Sequence, residues 1–75
     1  MLNSYKQEMV RRAVEMMEAG DYSGLEVMAE NLLRSANMKH VPASEAKDLL
    51  VKYEESFDIN QLGAAIDVLI DVYAA

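Results

Sequence analysis

The chain has no cysteine and no tryptophan, one histidine, one proline and three glycines in 75 residues. The missing cysteines exclude disulfides and thiolate metal sites, and a single imidazole excludes a histidine-rich metal centre. Positive charge runs out early: residues 1–40 carry six acids and five bases, residues 41–75 carry seven acids and two bases, and no Lys or Arg follows Lys52. A net charge of −6 with the bases dispersed argues against direct nucleic-acid binding, which needs clustered Lys and Arg. It also disfavours anionic membranes and suits a basic protein partner. The N-terminal residues lack a basic region followed by an apolar run, so no signal peptide is expected. The apolar C-terminal stretch is too short and too charged to span a bilayer. A cytoplasmic protein is the expectation.

What is present is helical periodicity. It predicts an all-α fold, four short helices arranged as two antiparallel αα-hairpins in one domain, 1–75. The first helix is expected over 4–19, with Tyr5, Met9, Ala13, Met16 and Met17 as its apolar stripe, widened by Val10 and Val14. Ser4 and Gln7 have capping-box spacing. Glu8 with Arg12 and Arg11 with Glu15 have the spacing of ion pairs one turn apart. Gly20 follows as a left-handed stop. The second helix is expected over 24–36, capped by Ser23 with Glu26 and stapled by Tyr22 with Val27. Its stripe is Leu25, Met28, Ala29, Leu32, Leu33 and Ala36. Pro42 marks the longest loop. The third helix is expected over 45–55 behind Ser44, with Ala46, Leu49, Leu50 and Tyr53 inward. Asp58 caps the fourth helix, and Phe57 is expected to be a buried staple over Leu62.

The corners at Tyr22-Ser23 and Phe57-Asp58 share a pattern: an aromatic, a cap residue, two spacers, Glu or Gln, then an aliphatic. Residues 19–25, Ala-Gly-Asp-Tyr-Ser-Gly-Leu, resemble the corner of a tetratricopeptide repeat. Leu25 stands where that family has a small residue and Ala29 where it has a large one, so no function is carried over.

The fourth helix is unusual. From Leu62 onward its only charges are Asp67 and Asp71, and its apolar arc covers roughly 200° of the circumference, against the ~100° of an ordinary amphipathic helix. Such a helix either lies at the centre of the bundle or meets another chain. The expectation drawn from it is a homodimer with Ile66, Val68, Ile70, Val72 and Tyr73 at the protein interface.

No residue pattern points to catalysis, and none is expected to hold a cofactor or metal. Nucleophilic catalysis needs a base beside a nucleophile, and His40 sits in a loop. Asp67 and Asp71 share a face but lack the Glu-x-x-His elements of a dinuclear site. Glu54 and Glu55 lie near a helix C-terminus, where the dipole disfavours negative charge, and with Asp67 and Asp71 they form the expected acidic partner surface. The function expected is that of a small acidic helical interaction module, a regulator or adaptor. The alternative is an acidic inhibitor or nucleic-acid mimic that blocks a basic protein, of the kind phages and mobile elements encode.

Overall fold

Four helices form in the computed structural model, which describes residues 4–74; the side chains of Ser4, Tyr73 and Ala74 are outside the description. They are α1 (Ser4–Ala19), α2 (Tyr22–Met38), α3 (Ser44–Ser56) and α4 (Ile59–Ala74). No strand occurs among the described residues. The fold class is therefore the one the periodicity predicts.

The centre of the molecule is α4. It packs against α1, α2 and α3, while α1 also packs on α2. The backbones of α2 and α3 do not approach each other; they flank α4. Leu62, Ala65, Ile66, Leu69 and Ile70 on α4 are all sealed in, against Met9 and Ala13, Leu25, Ala29, Leu32 and Ala36, and Ala46 and Tyr53. Alanines on all four helices face inward and let the axes approach closely. Gly63 does the same for α1: a Cβ there would lie 2.9 Å from the Met17 sulfur.

This arrangement corrects the reading of the fourth helix. Ile66 and Ile70 are 0% and 1% exposed inside the single chain, so they cannot meet a second chain while the bundle is intact. The wide apolar arc is filled by three neighbours of the same chain. Val68 and Val72 are half-buried, and the side chain of Tyr73 falls outside the described residues. Ile66 and Ile70 therefore drop out of the expected interface.

The turns differ from the expected chemistry in instructive ways. Gly20 takes φ +66°, as a left-handed stop should. Asp21, not Ser23, caps α2: its carboxylate accepts the Gly24 N–H at 2.9 Å, and its carbonyl accepts the Leu25 N–H. Because Asp21 holds the cap position and its carboxylate takes the Gly24 N–H, Ser23 falls inside the first turn and the Ser23–Glu26 box does not form. Tyr22 and Val27 both face outward, so no staple closes there. Ser44 opens α3 rather than capping it; Ala43 holds the cap position without a side-chain bond. Asp58 does cap α4, accepting the Asn60 N–H at 3.0 Å. On α1, Arg11 bonds both Glu8 and Glu15, so the expected Glu8–Arg12 pair does not form, and Val10 and Val14 are exposed rather than part of the core stripe. The expected Ser4–Gln7 box lies outside the described side chains.

Phe57 is the largest departure. It ends α3 in the left-handed region, φ 54°, with its N–H on the Tyr53 carbonyl at 2.7 Å. The left-handed turn swings the ring outward, leaving it 67% exposed, and Tyr53 takes the buried place instead. Left-handed backbone costs a side-chain-bearing residue about 1–2 kcal/mol, while a T-shaped aromatic contact returns about 0.5–1.5 kcal/mol.

These positions give opposite expectations. Ile66→Ala should cost about 2–5 kcal/mol, a large share of the 5–15 kcal/mol typical of a native domain. Phe57→Gly removes both the strain and the ring contact and should stay within about 1 kcal/mol of wild type. Urea melts of both variants decide it; a Phe57→Gly loss comparable to that of Ile66→Ala would refute this account of the corner.

Candidate partner-binding surface

The two corners that look alike in sequence meet at one end of the bundle. Tyr22, opening α2, and Tyr53, in the last turns of α3, stack with ring centroids 6.4 Å apart and planes at 27°. Tyr53 and Phe57 meet edge to face at 5.9 Å and 75°. Tyr53 is the inner member of this row, 4% exposed, with Tyr22 and Phe57 as exposed outer members. Its hydroxyl donates to a Glu26 carboxylate oxygen at 2.8 Å, which joins α2 to α3 where their backbones do not meet. Burial, the hydrogen bond to Glu26, and the nearby Glu26 charge together push the Tyr53 phenol up to about 12.

A groove runs from this aromatic end between α2 and α3. Its volume is about 390 Å³. Ala29, Leu33, Leu50, Leu62 and Tyr53 form an apolar floor, and Glu26, Glu30 and Glu54 supply the charge; no Lys or Arg lines it. The three carboxylates differ in freedom. Glu26 accepts from Tyr53, and Glu30 pairs with Arg34 one turn along α2 at 3.2 Å. Glu54 has no ion pair or side-chain hydrogen bond among the described residues. A second groove, about 510 Å³, lies between α1 and α2, with Met9, Met16, Met28 and Val27 in its walls and Arg12 as its one charged residue.

The four acidic residues singled out in sequence do not form one surface. Glu54 and Glu55 are exposed near the corner, and Glu54 enters the groove. Asp67 and Asp71 lie further along α4, Asp71 about 20 Å from the corner at 1.5 Å per residue. Nor is Asp71 without local neutralisation: Lys6 of α1 reaches it at 3.0 Å. Burial, and then the charge of Asp71, raises the Asp67 carboxyl above its usual range. His40 is exposed in the α2–α3 loop, with φ 58°. No group of three or more His, Cys, Asp or Glu that could hold a metal occurs among the described residues.

Sequence reasoning missed the groove residues Glu26, Glu30, Leu33 and Leu50 and the outward role of Tyr22 and Phe57. The signal available was the repeated corner, whose aromatics would be neighbours once the hairpins stood side by side. No protein-family model, curated protein or solved structure matches this chain.

Two pH effects follow. A phenol raised in the folded state stabilises the fold below its unfolded value of about 10. That contribution should be lost between pH 10 and about 12. Stability should fall across this window more steeply in wild type than in Tyr53→Phe; parallel curves would deny the Tyr53–Glu26 coupling. A carboxyl raised in the folded state opposes folding once ionised, so Asp67→Asn should raise Tm at neutral pH and lose that advantage as pH drops through the carboxylate range.

Proposed function

We propose that this chain is a small acidic protein-interaction module, a regulator or adaptor that acts by occupying a partner's surface. The observation that carries this reading is the α2–α3 groove, whose floor is apolar and whose charged lining is entirely acidic. Apolar contact supplies affinity, and complementary charge supplies association rate and selects a basic partner. The reading is non-catalytic, in keeping with an imidazole exposed in a loop and carboxylates divided between two regions.

Self-association through α4 finds less support than it had in the sequence, because Ile66 and Ile70 are consumed within the bundle. The reading as a nucleic-acid mimic is also less well supported. A mimic needs an array of free carboxylates, and here Glu8, Glu15, Glu30 and Asp71 are held by bases of the same chain. Among the described residues no helix is long and apolar enough to cross a membrane.

Affinity capture from the native host supplies the partner, and association rates then test the site. Neutralising the corner in Glu54→Gln/Glu55→Gln should slow association several-fold at low salt and flatten its salt dependence. Neutralising α4 in Asp67→Asn/Asp71→Asn should leave both unchanged. Equal rates for wild type and the corner variant at every salt would rule out charge recognition there.

A further inference from the structure

The geometry points to a basic amphipathic helix as the occupant of the α2–α3 groove, with an arginine stacked on the exposed Phe57 ring and paired with Glu54. This rests on the reading of the chain as an interaction module and names the partner's chemistry.

Phe57 carries the argument. An aromatic residue in left-handed backbone breaks a local rule, since glycine or asparagine serves that position without strain. The ring then stands two-thirds exposed, so the bundle gains little apolar burial from it. Strain kept at an exposed aromatic is the pattern of a contact residue, because Phe and Tyr are effective anchors once covered. The ring sits at one end of a row with Tyr53 and Tyr22, and Glu54 lies three residues before it. An exposed aromatic ring one helical turn from a carboxylate that has no ion pair among the described residues suits a guanidinium, which stacks on rings and pairs with carboxylates through one planar group.

The groove sets the rest of the occupant. Along α2 it runs from Glu26 to Leu33, about 10 Å at 1.5 Å per residue, or two helical turns. A volume of about 390 Å³ takes a few side chains rather than a whole helix. A helix lying over it would therefore insert two apolar side chains four residues apart onto the partly exposed Leu33 and Leu50, with its arginine one turn beyond, at the Phe57 end. The glutamates on both walls repel an acidic helix. The α1–α2 groove, lined by Arg12 and no acid, lacks this charge match.

The test uses a synthetic 14-residue helical peptide with two leucines four apart and an arginine one turn beyond, titrated into the isotopically labelled full chain and followed by NMR. Shifts should concentrate at Leu33, Leu50, Tyr53 and Phe57. Replacing the peptide arginine by glutamate should abolish binding. Phe57→Gly should weaken binding about tenfold while its melting midpoint stays near that of wild type, and Glu54→Gln should weaken it with the fold intact. Shifts confined to the α1–α2 groove, no saturable shifts at millimolar peptide, or full affinity in Phe57→Gly would each overturn the inference. None of those results decides the module reading, which stands or falls on the corner variant's association with the captured partner. If Phe57→Gly unfolds, Phe57 is structural and the inference also fails.

Discussion

Everything in this fold depends on burying one helix on nearly all sides. A helix with apolar side chains over roughly 200° of its surface cannot lie at the edge of a small bundle without exposing several of them. Here α4 takes the centre, and α1, α2 and α3 pack around it. Leu62, Ile66, Leu69 and Ile70 are thereby removed from water, at about 1.5–3 kcal/mol per side chain. With no cysteine for a disulfide, this burial is the main source of stability, and the inward alanines and Gly63 make it dense.

Centring α4 has a geometric consequence. Helices arranged around a common axis helix need not touch each other. Backbones of α1 and α2 meet, whereas those of α2 and α3 remain apart. The gap leaves a groove whose floor is the outer fringe of the core and whose walls carry glutamates. Tyr53 bridges one end by stacking on Tyr22 and bonding Glu26. The shape of the candidate surface thus follows from where the core had to go.

At this same end, local preference and overall fold disagree. The α3–α4 turn requires a left-handed residue, and the sequence places Phe57 there. At the other corner the matching requirement is met by Gly20 at no steric cost. One corner therefore follows local rules and the other departs from them, and the departure puts an aromatic ring in solvent three residues after Glu54. Asp67 and Asp71 are a milder case: crowded carboxylates on the one helix with few other polar groups, eased by Lys6 reaching across from α1.

The sequence by itself determined the helices. Period-3.6 stripes, Gly20, Pro42 and the Asp58 cap placed four elements close to their observed limits, because these signals act within a turn or two of the chain. It also determined that the fourth helix needed company. Only the tertiary structure decided who supplies it. Whether Ile66 and Ile70 face a second chain or the same one depends on how three other stripes meet α4, which no local pattern encodes. The staples failed for the same reason: Tyr22 with Val27 and Phe57 with Leu62 have suitable spacing, but the space Phe57 would fill belongs to Tyr53, a residue of the preceding turn. The groove, and with it Glu26, Glu30 and Leu50, exists only between elements far apart in sequence. Charge was legible as an excess of acid; which carboxylates lack a base among the described residues, as Glu54 does, and which find one, as Asp71 does, was set by the distance between helices that only packing fixes.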